Sequence, residues 1–158
     1  MAAAVPAVGL LLAAPLLHAQ GAMPFAGYSG HWAGGGDITM TDGSKEKIRC
    51  KADYSSPPSG DALHININCA SDSYKVNVIS NIVAGPGGHL SGTWRELTRQ
   101  AEGDVSGRIA GPGQIQASLQ GTVYGIELSA NTKGNQQAVA IRAQGTDVQA
   151  VNITLRRS

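Results

Sequence analysis

Large side chains are scarce in this chain of 158 residues, which holds two Trp, four Tyr and one Phe. Val, Ile, Leu and Ala must therefore do most of the packing in any core, and the core must be lean. Charge is missing from the start of the chain, since residues 1–22 carry no Lys, Arg, Asp or Glu. No basic block occurs further on and the formal charge is only +1, so the electrostatic drive for nucleic-acid binding is absent. The two cysteines, Cys50 and Cys69, have eighteen residues between them. That spacing fits neither a zinc pair nor a redox Cys-x-x-Cys. Catalytic signatures are missing too. There is no Gly-x-Ser-x-Gly elbow, no His-Glu-x-x-His and no Asp-rich calcium loop. Gly34-Gly35-Gly36 is not followed by Gly-Lys-Ser/Thr, so it reads as a strand kink or bulge rather than a phosphate loop. No catalytic residue, cofactor or metal is assigned from these patterns.

The sequence opens on an apolar run over residues 2–17, followed by Leu17-His18-Ala19. This fits the h-region and cleavage site of a secretory signal, with the cut after Ala19 or Ala22. No Lys or Arg precedes the run, so either the amino terminus supplies the only positive charge or the true start lies upstream. The run falls short of the roughly 20 residues a membrane-spanning helix needs. The expected plan is a signal peptide over 1–19, a flexible segment over 20–28 and one β domain over 29–158. Export to the periplasm or beyond makes a Cys50–Cys69 disulfide the expected use of the two thiols.

After residue 28 the apolar pattern alternates with period two between clusters of Gly, Pro, Asn and Asp. Leu63, Ile65, Ile67 and Cys69 alternate with His64, Asn66 and Asn68; Val151, Ile153 and Leu155 alternate with Asn152, Thr154 and Arg156. The breaks predict about ten strands, at 30–40, 45–54, 62–69, 73–80, 89–98, 103–110, 114–120, 122–130, 136–144 and 148–156. Asp42-Gly43, Gly111-Pro112-Gly113 and Lys133-Gly134 are turn signals. Opposed residues in a hairpin share a face, which predicts registers. Cys50 pairs with Cys69 and Ala52 with Ile67; Ile109 pairs with Ile115 and Val105 with Leu119. Leu128 pairs with Val139 and Ile126 with Ile141; Ile141 pairs with Val151 and Val139 with Ile153. The fold class is all-β, an antiparallel meander of about ten strands closed or nearly closed into a barrel, with a two-sheet sandwich as the alternative. Opposed Cβ atoms lie about 4.5–5.5 Å apart, near disulfide reach.

Ser29-Gly30-His31-Trp32 and Ser91-Gly92-Thr93-Trp94 echo each other. Each Trp follows a Gly near a strand start and either lines a ligand cavity or fills the core. Glu96 shares a predicted strand face with Leu90 and Trp94, so it is either buried and paired or the polar group of a pocket. Trp32, Trp94 and Glu96 are the candidate ligand-binding residues. His31, His64 and His89 form no close ligand pair, and His64 falls on a polar strand face.

The segments Trp32-x-Gly34-Gly35, Asp42-Gly43-x-x-Glu46-x-Ile48-x-Cys50-x-x-x-Tyr54, Cys69-Ala70-Ser71, Ser91-Gly92-Thr93-Trp94-x-Glu96 and Gly103 with Ser106-Gly107 resemble a group of small exported proteins of alphaproteobacteria. The tail from Gly145-Thr146-Asp147-Val148 to Leu155-Arg156-Arg157 is similar to theirs as well. This resemblance covers nearly all of the chain after the leader. It implies an exported protein and carries no activity with it. The order Gly30-His31-Trp32, Cys50, Cys69, Trp94 also resembles secreted β-barrel inhibitors of bacterial proteases.

Three functions follow as expectations. The first is a monomeric, exported, non-enzymatic binding module for a small ligand or an envelope partner. The second is an inhibitor-type protein that binds an exported enzyme, and the third is a hydrolase. A membrane-spanning barrel is disfavoured, because the few aromatics cannot build two girdles and the predicted outer faces carry Lys, Arg, Asn and Gln.

Overall fold

The computed structural model describes residues 23–158. The signal-peptide expectation, residues 1–19, lies outside them. Ten strands run β1 Gly30–Met40, β2 Lys45–Ser55, β3 Ala62–Ala70, β4 Lys75–Ala84, β5 His89–Glu96, β6 Ala101–Gly111, β7 Gln114–Gly121, β8 Gly125–Lys133, β9 Gln136–Gln144 and β10 Val148–Arg157. Each pairs antiparallel with the next, and β1 pairs with β10, closing the barrel. The sandwich alternative is excluded by that last pairing.

Most of the expected registers are present. Cys50 faces Cys69 and Ala52 faces Ile67; Ile109 faces Ile115; Ile141 faces Val151 and Val139 faces Ile153. The β8–β9 hairpin differs from expectation. Leu128 faces Ile141, Ala130 faces Val139 and Ile126 faces Ala143. The slip of two residues keeps every side chain on its expected face, so the apolar pattern could not detect it. The turn decides it: the loop is Gly134-Asn135, flanked by Lys133 opposite Gln136. Gly134 carries φ +56, and a glycine at the first position suits a two-residue II′ loop. β8 accordingly begins at Gly125 instead of residue 122.

Inward-facing glycines let neighbouring backbone come close on the inner face of the barrel. A Cβ on Gly36 of β1 would lie 1.8 Å from the Asn152 carbonyl oxygen, and one on Gly103 of β6 equally close to that of Gln120. No side chain fits there, which is why Gly interrupts the apolar face. The Gly34–Gly36 run is thus a stretch of β1 packed tightly against neighbouring backbone, with unbroken pairing to β2 and β10.

The core is unevenly distributed. Phe25, Tyr28, Trp32, Leu63, Leu90 and Leu155 are buried at the end where the chain enters and leaves the barrel. Toward the other end Ile38, Ile48 and Val148 are buried as well, while the inward residues Ile67, Val76, Leu119 and Val151 are only half-buried. Residues 20–28 were expected to be flexible. Over the described part of that segment, residues 24–28 form a turn and Phe25 is wholly buried. Phe25 N–H donates to the Gly60 carbonyl at 2.9 Å, and its ring meets Tyr28 edge-on at 5.7 Å. The Arg157 guanidinium donates to the Gly27 carbonyl. These contacts make the segment a plug across one end.

Candidate functional site

A ten-stranded barrel is wider than the eight-stranded kind that side chains just fill. Here the inner face also carries Gly34, Gly36, Gly92, Gly103 and Gly107, none of which projects a side chain inward. Seven aromatics cannot make up the difference. The result is a cavity of about 710 Å³ inside the barrel. It reaches from the plugged end to the ring of turns at 41–44, 71–74, 97–100, 122–124 and 145–147, and Tyr74, Arg99, Tyr124 and Asp147 of that ring line its mouth. Its middle wall is aliphatic, including Ile65, Val78, Val105, Leu128, Ile141 and Val151.

The floor is polar and aromatic. Tyr54 donates to Gln137 Oε1 at 2.8 Å, and Gln137 Nε2 donates to Thr132 Oγ1 at 2.9 Å. Gln137 is buried but engaged at both ends of its amide, so its burial is compensated. Burial, and secondarily the nearby Tyr28, pushes the Tyr54 phenol well above its ordinary value. Burial also raises Tyr28, against the effect of a hydrogen bond with Thr132. Both hydroxyls are neutral at physiological pH, and the floor presents no charge.

The three predicted binding residues occupy different places. Trp32, 1% exposed, is absent from the cavity wall and packs among the floor aromatics. Its ring lies 5.8 Å from that of Tyr54, and its indole N–H donates to the Tyr28 carbonyl at 2.8 Å. Trp94 does line the cavity. Its indole edge covers Gly121, and its buried N–H has no partner among the described residues. Glu96 lines the cavity near the mouth and is 6% exposed.

The Glu96 carboxylate is heavily engaged. It accepts from the backbone N–H of Asn77 at 3.0 Å, of Thr98 at 3.1 Å and of Arg99 at 2.7 Å, and from the Thr98 hydroxyl. Burial pushes its pKa up, but the Thr98 hydroxyl and the three backbone donors outweigh that and hold it below the usual carboxylate range. Arg99 stands 3.7 Å away, with its guanidinium over the Tyr74 ring at 4.5 Å and a bond to the Lys75 carbonyl. The geometry makes Glu96 the anchor of the 97–100 turn, and that turn forms part of the mouth. The next residue, Leu97, takes the exposed position.

The histidines do not converge. His31 pairs with Asp53 on the outer surface, and His64 Nδ1 lies 2.7 Å from Asn81 Oδ1, also exposed. His89 is exposed as well. Among the described residues no cluster of His, Cys, Asp or Glu is arranged to hold a metal. Sequence reasoning missed Tyr54, Gln137, Tyr74 and Arg99. Gln137 carried a readable signal: it alternates with Val139 and Ile141, and so had to point inward. Tyr74 alternates with Val76 and Val78 on the predicted strand 73–80, and it lines the cavity with them although β4 itself begins at Lys75; Arg99 sits at a turn, where alternation says nothing.

No family model matches the chain, and no curated protein matches it. Among solved structures, the barrel is similar to that of the S-type phycobiliprotein lyase CPES from Guillardia theta. The TM-score is 0.64 at 8% identity, over 85% of this chain and 90% of that one. A likeness at that identity establishes a shared fold.

Proposed function

We propose that this protein is a non-enzymatic binding module that holds a small apolar ligand inside its barrel, and that it works outside the cytoplasm. The observation that carries the reading is the cavity of about 710 Å³, apolar along its middle and open at one end. Its size falls within the range of sites that enclose small molecules, and closed barrels use their interiors this way. The barrel shared with the S-type lyase supports the architecture. The ligand sits against Trp94, with Glu96 holding the mouth turn beside it and Trp32 supporting the floor beneath. The Cys50–Cys69 disulfide supports an oxidising compartment, as does the apolar leader.

The inhibitor-type reading draws on the mouth, where Leu97 is 42% and Val123 68% exposed. A hollow interior favours the ligand reading over it. Titration with an apolar fluorescent dye tests the proposal. One saturable site per chain is expected, in protein that still unfolds cooperatively. Absence of saturable binding would contradict it.

A further inference from the structure

We infer that the ligand is a single-chain aliphatic amphiphile, seated chain-inward with its polar group at the ring of mouth turns. This rests on the ligand-binding reading above and specifies its chemistry. Four features of the cavity lead to it.

Entry is possible from one end, because Phe25 and the turn around it close the other. Whatever enters must therefore lead with the part that suits the depth. The depth suits hydrocarbon: its wall is branched aliphatic, with Trp94 the aromatic side chain nearest the middle. A flat polycyclic ligand gains most from aromatic faces, and apart from Trp94 these are confined to the floor and the mouth. A flexible chain packs well on branched aliphatic surface, where dispersion contacts add up.

Charge is restricted to the mouth. Of the lining residues, Glu96, Arg99 and Asp147 are ionisable as charges, and the first two neutralise each other. A charged group pushed deeper would meet no counter-charge and would be desolvated at high cost. The head therefore stays among Tyr74, Tyr124, Arg99 and Asp147, in contact with water.

The dimensions agree. Inward residues from Val76 to Ile82 of β4 line the cavity. Six residues at about 3.3 Å each span about 20 Å along the strand, and a barrel tilt of roughly 40° reduces this to a depth of about 15 Å. That is half of the ~30 Å hydrocarbon thickness of a bilayer, or one acyl leaflet. At about 30 Å³ per water-sized group, the volume holds roughly twenty non-hydrogen atoms. The exposed Leu97 and Val123 flank the same mouth, where an emerging chain would otherwise meet only water.

The test is competition against the bound dye by straight-chain alcohols, carboxylic acids and amines of increasing length, each kept below its aggregation limit. Affinity should rise about fourfold per added methylene until the molecule holds roughly twenty non-hydrogen atoms, then level off. The three head groups should differ by less than about tenfold at equal length, since each remains hydrated at the mouth. Ala130→Leu, near the floor, should bring the plateau to shorter chains; Ala117→Val should do the same if that variant does not fold. Two results would overturn the inference while leaving the binding reading intact: no dependence on chain length, or tighter displacement by flat polycyclic aromatics of equal size. If the dye itself finds no saturable site, the binding reading fails and the inference fails with it.

Discussion

Tyr54 on β2 and Gln137 on β9 meet across the barrel, the hydroxyl donating to the amide oxygen at 2.8 Å. This bond, continued to Thr132, forms the floor on which the cavity rests. Tyr54→Phe would leave the buried Gln137 oxygen without its donor. The expected loss is about 1–3 kcal/mol, measured by chemical denaturation. Tyr54→Phe combined with Gln137→Leu should cost less than Tyr54→Phe alone, because no polar atom is then orphaned. A double variant weaker than the single one would contradict this account of the floor.

The Cys50–Cys69 bond joins residues that directly oppose each other on β2 and β3, with Cα atoms 4.1 Å apart. Thiol counting on denatured, unreduced protein should find none free. Cys50→Ala should destabilise by roughly 2–5 kcal/mol. Two free thiols, or a cysteine-linked dimer, would refute the intramolecular pairing.

The two tryptophans should respond differently to the same change. Trp32→Phe removes a buried hydrogen bond to the Tyr28 carbonyl and should cost about 0.5–1.5 kcal/mol beyond any packing loss. Trp94→Phe removes a buried donor that has no partner among the described residues, so the polar part of its cost should vanish. Trp32→Ala should cost about 3–5 kcal/mol. Trp94→Ala should weaken ligand binding more than any wall substitution that leaves the aromatic in place. Equal losses from both Phe variants would remove the distinction between floor and wall.

Glu96 gives the protein an acid-sensitive turn. Its folded pKa lies below the ordinary value of 4.5, so the unfolded chain takes up the proton first. The stability it contributes is complete above that value and is lost as pH falls from about 4.5 through the folded pKa. Glu96→Gln should cost about 1.5–3 kcal/mol at neutral pH, and its stability should fall less steeply with acid than that of the wild type. Asp42 and Glu46, also held low by hydrogen bonds from serines, supply the slope that remains. Identical acid slopes for the two proteins would assign the whole effect to those surface groups.

Much of the fold could be read from the sequence because period-two alternation and glycine-rich turns fix strand number and facing. The Cys50–Cys69, Ile109–Ile115 and Ile141–Val151 pairs were all legible in this way. The β8–β9 slip was not, since a two-residue shift preserves the face and only the conformation of Gly134 chooses between registers. The shortage of aromatics left a packed or a hollow interior open, because volume also depends on closure and on inward glycines such as Gly36 and Gly103. Glu96 was correctly placed on the inner face. Its partners were not foreseeable, because three of them are backbone N–H groups of Asn77, Thr98 and Arg99, which any residue type but proline would supply.

The central claim is that the barrel interior receives a ligand, and filling that interior tests it most directly. Ala117 and Leu128 oppose each other on β7 and β8 and both line the cavity. Dye titration should be compared between the wild type and Ala117→Phe combined with Leu128→Trp, with cooperative thermal unfolding confirmed for each, since loosely packed states bind such dyes indiscriminately. The account predicts one saturable site in the wild type and its loss in the filled variant, with the fold retained. Unchanged dye binding in a folded, filled variant would place the site outside the barrel and contradict the account.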